Sequence, residues 1–281
     1  MSEEANKENR VSETINAVAG LAKSVPIYQD SVQPAAKEVG KSLETVAKTV
    51  NLVLTPLRAM IWSYDKLEAF LSTKVSEKLQ NTPESDIQTP KANIAVPVLQ
   101  SLMYSGEEPE LQELYANLLA GAMDKHTAPF NHPSFVEAIK QMTPDEAKLL
   151  QYISLSMTTS LALPVITVRD ESKKRGEGGV IVARHLSLLG LKANCENPEL
   201  TPVSLDNLIR LGIIVIPKNY SYTEKAVYDE IKNHENVTEI VEDINKNVER
   251  RAVVLEETVG VTDFGKQFID ICVLDHRSHR P

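Results

Sequence analysis

The segment Pro109–Ile153 constrains the fold of this chain most strongly, because it predicts three consecutive helices with defined ends. Its first helix carries one continuous apolar stripe at helical spacing, formed by Leu111, Leu114, Tyr115, Leu118, Leu119, Ala122 and Met123. His132–Pro133 begins the second helix, because proline at a first helical position gives up only a donor that has no partner there. The motif at Thr143–Glu146 begins the third helix, with a threonine N-cap and a glutamate placed to close a capping box. A helical centre is therefore predicted.

The charge of the chain argues against a nucleic-acid partner. Thirty Lys and Arg residues stand against 39 Asp and Glu residues, which gives a net charge of -9, and the basic residues are spread along the sequence. Such a chain repels a polyanion unless cations collect on one surface. Cys195 and Cys272 fit no metal or redox spacing, so they are predicted to be buried, reduced thiols. No basic-then-apolar signal peptide follows Met1, and a cytoplasmic location is expected.

The N-terminal quarter of the chain predicts a disordered tail over residues 1–12, followed by an amphipathic helical region over residues 13–80. One face of this region collects the apolar side chains of Leu43, Val46, Val50, Leu54, Leu57, Ile61 and Trp62. The favoured interpretation is packing against protein, either the central helices or a second copy of the chain. The alternative is a helix in a membrane interface. A transmembrane span is disfavoured, because the uncharged run at 49–57 is shorter than the ~20 residues that a bilayer requires.

The composition also predicts the domain organisation. Residues 81–93 are rich in Pro, Ser, Thr and Asn and are predicted to be a linker between domains. A central helical domain follows over 94–155, and 156–281 are predicted to form an α+β module with a charged, solvent-facing insertion at about 222–250. The expected fold class is mainly α, with a helical N-terminal and central region followed by an α+β winged-helix-like C-terminal module. The glycines at 176–179 lack the spacing of a phosphate loop and predict a hairpin or surface loop.

The order of elements near the C-terminus resembles that of winged-helix domains. A helix that opens at Thr201 and ends at Gly212 is followed by short apolar runs and by a helix capped at Thr262–Gly265. If this module bound nucleic acid, the contacts would come from Asn207, Arg210 and Lys218. The helix lacks the full set of bidentate side chains and phosphate-binding cations that a DNA reader needs. A protein-binding or structural module is therefore favoured over a DNA-binding one.

The nearest approach to a reaction centre is the group Asp124, His126 and His132. These residues do not share the helical spacing of a hydrolytic metal site, so caps and turn hydrogen bonds are predicted for them. His276 and His279 lie in the polar C-terminal tail. No nucleophile–base pair is visible, and the chain is predicted to be noncatalytic, without metal or cofactor.

Three segments resemble the bacterial abortive infection alpha family: NIAVPVLQSLMYS at 93–105, ELQELYANLLAGAMDKHT at 110–127 and HPSFVEAIKQMTPDEAKLL at 132–150. The Thr262–Gly265 helix start fits the same family. The resemblance implies a cytoplasmic bacterial protein of phage defence, with no catalytic residues to carry over.

The favoured hypothesis from this resemblance is a noncatalytic phage-defence protein that acts through protein–protein interaction. Its partner would be a phage-encoded protein or a second copy of the chain. Two alternatives remain open. One is a membrane-associating effector peripheral to the inner membrane, and the other is a winged-helix DNA-binding regulator.

Overall fold

The computed structural model describes residues 64–174 and 176–274, which fall into two units. Unit 1 contains the described residues up to Pro144 together with 268–274, and unit 2 contains Asp145–Gln267. The described residues are mainly helical, and their sheets are small and antiparallel. The mainly α fold class is thus confirmed. The predicted tail at 1–12 and residues 13–63 lie outside the described residues.

Unit 1 is built around one buried helix. Its α-helices are α1 Tyr64–Phe70, α2 Ser76–Leu79, α3 Ala92–Ser105, α4 Pro109–Met123 and α5 Ser134–Ile139. A π-helical turn, Leu71–Val75, joins α1 to α2, and a second one, Ile269–Val273, returns from the end of the chain. Every residue of α4 from Leu114 onwards is buried, not only the predicted stripe. Neighbouring elements of unit 1, including both π-helical turns, pack around α4.

The predicted linker at 81–93 lies inside unit 1. It contains a 3₁₀ turn, Glu84–Asp86, and two backbone hydrogen bonds fasten it to the end of α4. Gln88 N donates to Met123 O at 2.8 Å, and Lys125 N donates to Asp86 O at 2.9 Å. Because these hydrogen bonds join backbone groups, the amino-acid composition of the segment gives no indication of them. The division between the units falls at Asp145 instead.

Unit 2 combines short helices with two small sheets. Its helices are α6 Pro144–Ser154, α7 Leu189–Lys192, α8 Thr201–Arg210, α9 Asp229–Lys232, α10 Glu235–Asn245 and α11 Asp263–Phe268. Its strands are β1 Pro164–Ser172, β2 Gly179–Leu186, β3 Ile214–Val215, β4 Arg250–Thr258 and β5 Gly260–Val261. One sheet has the antiparallel order β2-β1-β4, and β3 pairs with β5 in the other. The hairpin predicted around the glycines at 176–179 is confirmed by the β1–β2 pairing.

The charged segment at 222–250 is not wholly solvent-facing, and that expectation is wrong for three of its side chains. Tyr228, Ile231 and Val237 are buried and form a hydrophobic cluster with Ile166 and Leu188. The segment folds into a 3₁₀ turn and the two short helices α9 and α10 rather than one long helix. Its apolar residues meet only after the chain turns between them, so no single helical period connects them.

The ends of α8 and α11 form as the sequence predicts. Pro202 lies in the first turn of α8, and Gly212 follows that helix with a φ of 74°, a conformation that glycine adopts without steric cost. Thr262 Oγ1 accepts a hydrogen bond from Gly265 N at 2.8 Å, as an N-cap does, and donates to Gly212 O at 2.6 Å. The cap of α11 therefore also fixes the turn that follows α8.

Candidate functional site

The Asp124, His126 and His132 group forms turns rather than a metal-binding arrangement. Asp124 is buried, and its Oδ1 accepts from His126 N at 3.0 Å, while His132 Nδ1 accepts from Ser134 N at 3.1 Å. The predicted turn hydrogen bonds of Asp124 and His132 are thus confirmed. Among the described residues, no cluster of three or more His, Cys, Asp or Glu side chains is arranged to hold a metal ion. His276 and His279 lie outside the described residues.

A buried polar network explains several residues of the segment that follows α4. Thr127 Oγ1 donates to Gly121 O at 2.7 Å, and Asn131 Nδ2 donates to Thr127 O at 2.9 Å. A Cβ atom at Gly121 would lie 3.3 Å from the Asn131 amide, so the glycine leaves room for it. Sequence reasoning missed Asn131, because no spacing rule marks a buried amide in a loop. The network fixes the path of the chain between α4 and α5.

Both cysteines are protonated at neutral pH. Cys272 is buried, as predicted, whereas Cys195 is only partly buried. This partial burial, together with the nearby Asp145 carboxylate, raises the pKa of the Cys195 thiol to about 11, and full burial raises the pKa of Cys272 well above its usual value. Cys195 Sγ lies 3.5 Å from Asp145 O. A cysteine nucleophile reacts as the thiolate. Neither thiol is therefore poised for nucleophilic attack.

Asp145 organises the turn beside Cys195. Its carboxylate accepts from Glu196 N at 2.7 Å and from Asn197 N at 3.0 Å. Burial opposes ionisation of this group, but the two backbone donors, together with the Lys148 ammonium and the Asn197 side chain, outweigh it and lower the pKa of Asp145. The charged carboxylate thus holds the segment between α7 and α8 against the start of α6.

Two of the candidate nucleic-acid contacts are bound to each other. Asn207 Nδ2 donates to both carboxylate oxygens of Glu146, at 2.9 and 3.0 Å, and Glu146 is only 3% exposed. Asn207 Oδ1 accepts from Nε and Nη2 of Arg210, at 3.0 and 2.6 Å. Lys218 is exposed in the turn after β3. Ser204, on the same helix, is buried. The Asn207 amide group is therefore already hydrogen-bonded to the Glu146 carboxylate.

The outward surface of α8 is apolar and acidic at its N-terminal half. We define the α8 face as Val203, Asp206 and Arg210, which follow one another at three- or four-residue spacing along the helix, together with Leu200, the N-cap residue that ends the preceding 3₁₀ turn. Leu200 is 51% and Val203 is 65% exposed. Asp206 Oδ1 lies 2.7 Å from His185 Nδ1, and its side chain remains exposed. This surface presents two apolar side chains with one acidic and one basic neighbour.

A second apolar surface lies on the outer strand β2. We define the β2 edge as Gly179–Ala183, in which Val180, Ile181 and Val182 are 62%, 41% and 50% exposed. Sequence reasoning missed this surface, because three consecutive β-branched residues are typical of a buried strand. The order β2-β1-β4 instead leaves one side of β2 unpaired within the sheet.

The predicted partner or membrane face, Leu43, Val46, Val50, Leu54, Leu57, Ile61 and Trp62, lies outside the described residues. In the described part of the chain, none of the helices has the length and apolar character needed to cross a bilayer.

Comparison with known proteins identifies the family. The chain belongs to the family described as Abortive infection alpha, which matches residues 63–272. Phage defence through abortive infection is thus its function at the level of the family. A solved structure titled "Structure of the uncharacterized protein from the hydrocarbon-degrading marine bacterium Alcanivorax borkumensis SK2" is 17% identical, with a TM-score of 0.35. That similarity covers 50% of this chain and 93% of the other, and no curated protein matches.

Proposed function

We propose that this chain is a noncatalytic, cytoplasmic abortive-infection protein that acts by binding another protein, and that the α8 face is its contact surface. The exposed pair Leu200 and Val203 carries the proposal. Apolar side chains bordered by charged ones are a common feature of protein-binding surfaces. A phage-encoded protein is the proposed partner, since the family acts in phage defence.

The arrangement of unit 2 supports a winged-helix-like module as part of this proposal. Helices α6, α7 and α8 precede the pair β3 and β5, whose register joins Ile214 to Val261 and Val215 to Gly260. In this interpretation β3 and β5 form the base of the wing, and residues 216–259 replace its tip. Helix α8 then occupies the position of the recognition helix in helix-turn-helix proteins.

The charges on α8 favour a protein over DNA as the ligand of that helix. DNA binding requires cations that neutralise phosphates and side chains that reach base edges. The only basic residue within α8 is Arg210, whose guanidinium donates to Asn207, and the exposed Asp206 carboxylate would repel a phosphate. A protein partner that presents an apolar surface to Leu200 and Val203, and a basic residue to Asp206, fits this face better than DNA does.

A substitution that introduces a negative charge at the centre of the α8 face tests the proposal. Val203→Glu is compared with Val248→Glu, a matched control at a position that is 83% exposed in the same unit. Each full-length variant is expressed in a susceptible bacterial host, and plaquing efficiency is measured with several unrelated phages. Loss of a hot-spot residue at the centre of an interface costs about 2 kcal/mol or more, and about 1.4 kcal/mol corresponds to tenfold in affinity, so we expect protection to fall by about tenfold or more with Val203→Glu only.

Two results would overturn the proposal. Full protection by Val203→Glu would show that the α8 face is not the contact surface, provided that circular dichroism confirms its fold. Duplex DNA binding that weakens steeply with salt and is lost in an Arg210→Ala, Lys218→Ala double variant would favour the DNA-binding alternative. Enrichment of a phage protein on wild-type but not Val203→Glu protein would support the proposal directly.

A further inference from the structure

We propose that unit 2 binds a small amphipathic carboxylate in a pocket between α10 and β4. The carboxylate group of this ligand binds the Lys232 ammonium, and its apolar part covers Val241 and Val254. The pocket shares no residue with the α8 face, so the ligand site is independent of the proposed protein contact.

The pocket has the size and the lining of a small-molecule site. We define the α10 pocket as the concave surface of about 420 Å³ that is lined by Lys232, Val237, Thr238, Val241, Glu242 and Val254. Sites for small molecules usually have volumes of about 300–1,000 Å³ and combine an apolar lining with a few polar groups. Val237 belongs to the buried hydrophobic cluster of unit 2, and Val241 and Val254 pack against that cluster from partly buried positions. The α10 pocket therefore extends an existing apolar core towards the solvent.

Two hydrogen bonds hold the helical segment over β4, one at each end of the pocket. Lys232 Nζ donates to Glu256 Oε1 at 2.6 Å, and Ala252 N donates to Asn245 Oδ1, at the end of α10, at 3.0 Å. Val254 lies between these two anchors in sequence, and it shares one face of β4 with Glu256 because side chains alternate along a strand. The separation of α10 from β4 is thus fixed on both sides of Val254, and the pocket is part of the fold.

The end of the pocket at Lys232 carries an excess of positive charge. The Glu256 carboxylate binds two ammonium groups, those of Lys225 and Lys232, each at 2.6 Å. Hydrogen bonds from these lysines lower the pKa of Glu256, so the carboxylate is charged at neutral pH and neutralises one of the two cations. An ammonium group has three donors, and the bond to Glu256 uses one of those of Lys232. A second carboxylate, from a ligand, satisfies both the remaining donors and the remaining charge.

The position of Glu242 fixes the orientation of the ligand. Glu242 lies about 10 Å along the helix axis from the start of α10, on the side of the Asn245 anchor. A ligand carboxylate at that end would meet a like charge, whereas at Lys232 it meets a cation. The apolar part of the ligand therefore runs from Lys232 along the valines towards Glu242.

The surface around the pocket favours a small molecule over a protein as the occupant. The core of a protein interface is an apolar patch that extends over many residues. The exposed positions of α10 all carry polar side chains, namely Glu235, Asn236, Glu239, Glu242, Asp243 and Asn245. On this helix, the apolar side chains thus lie on the side that faces β4. A molecule small enough to enter between α10 and β4 reaches them, and a flat protein surface does not.

Sodium octanoate is the first probe, titrated into the full-length protein by isothermal titration calorimetry. Octanol and octylamine serve as comparators, because they carry the same chain with no charge and with the opposite charge. A hydrogen bond to a charged group contributes enough for about a tenfold gain in affinity, so we expect octanoate to bind about tenfold more tightly than octanol. Octylamine should bind more weakly still. Absence of saturable octanoate binding would overturn the proposal, and so would octylamine that binds as tightly as octanoate.

A substitution that fills the pocket tests its location. Val254→Phe occupies the space between α10 and β4, and Val253→Phe is the matched control because its side chain lies on the opposite face of the same strand. Exclusion of two methylene groups of the ligand from the pocket costs about tenfold in affinity, so we expect at least that loss with Val254→Phe. Val253→Phe should bind as wild type does. Equal affinities of the two variants, with circular dichroism showing both to be folded, would contradict the assignment.

A second pair of variants tests the role of the cation. Lys232→Gln removes the ammonium in the pocket, whereas Lys246→Gln removes an exposed one that pairs with Asp243. We expect Lys232→Gln to bind octanoate and octanol with equal affinity, and Lys246→Gln to keep the preference of wild type for octanoate. A folded Lys232→Gln variant that still prefers octanoate would show that Lys232 does not bind the carboxylate.

Discussion

One amide side chain, that of Asn207, connects a buried carboxylate to an exposed guanidinium in unit 2. Its two bonds to Glu146 keep an almost inaccessible charge within hydrogen-bonding distance of donors. Asn207→Ala removes both bonds, and the loss of hydrogen bonds from a buried charged group costs about 1–3 kcal/mol. We expect the free energy of unfolding in urea to fall by that amount.

Lys218→Ala is the control for this change, because Lys218 is exposed in a turn of the same unit. Surface substitutions of this kind alter the free energy of unfolding by less than about 0.5 kcal/mol. An Asn207→Ala variant as stable as Lys218→Ala would show that the amide does not stabilise Glu146.

Ionisation of the Cys195 thiol lowers the stability of unit 2 at alkaline pH. Its pKa is about 11 in the folded chain, against an ordinary value of 9.0, because burial and Asp145 disfavour the thiolate. The unfolded state therefore releases this proton at lower pH than the folded state, and stability falls as the pH rises through that interval. Between about pH 9 and pH 11, we expect wild type to lose more stability than Cys195→Ser, which has no thiol to ionise. Parallel losses in urea unfolding would contradict this.

The role of Asn207 shows where reasoning from single residues stops. The sequence offered Asn207 and Arg210 alike as contacts of a nucleic-acid-binding module, but Arg210 is exposed whereas the Asn207 amide is bound to Glu146. The partner of Asn207 lies 61 positions earlier in the chain, in α6. The periodicity of a sequence describes one helix at a time. It therefore cannot show which of its side chains form hydrogen bonds with residues of another helix.

At the level of elements, the start of α11 depends on a glycine that no helix propensity would select. A Cβ atom at Gly265 would lie 1.9 Å from Ile213 O, so the two backbones approach too closely for any side chain. In an exposed helix, Gly→Ala stabilises by about 1 kcal/mol. Here we expect Gly265→Ala to lower the melting temperature instead, because α11 and the strand entry at Ile213 must move apart.

Gly178→Ala is the matched control, since a Cβ atom there meets nothing within 4 Å. We expect this variant to melt within a few degrees of wild type. If Gly265→Ala is as stable as Gly178→Ala, the contact between α11 and Ile213 is not close in solution.

The elements that the sequence predicted best are those whose ends carry local signals. Proline, threonine caps and Gly212 act within a few residues, so the starts of α6, α8 and α11 and the end of α8 were predictable. The helices α9 and α10 were harder, because Tyr228 is held by tertiary bonds. Its hydroxyl accepts from Tyr222 N at 3.0 Å and donates to Glu257 O at 2.9 Å. Only the folded chain brings these groups together.

At the scale of the whole molecule, the discontinuity of unit 1 is the feature that composition could not predict. Residues 268–274 belong to the same unit as the helices before Pro144, although the whole of unit 2 lies between them in sequence. The polar segment at 81–93 marked a boundary by composition alone, whereas the units are defined by contacts. The Asn117 Nδ2 hydrogen bond to Cys272 O, at 2.9 Å, spans 155 positions of sequence.

This topology predicts that a substitution near the C-terminus loosens the helices that precede Pro144. Phe268 is fully buried, and its ring meets that of Phe135 edge to face at a centroid distance of 5.4 Å. Phe268→Ala removes this contact and leaves a cavity, which typically costs about 3–5 kcal/mol. We expect amide hydrogen exchange to accelerate in α4 and α5, with Tyr104→Ala, at an exposed aromatic residue of unit 1, leaving it unchanged. If exchange in α4 and α5 stays at the wild-type rate, the C-terminal segment does not stabilise unit 1, and the chain would instead fold as consecutive domains.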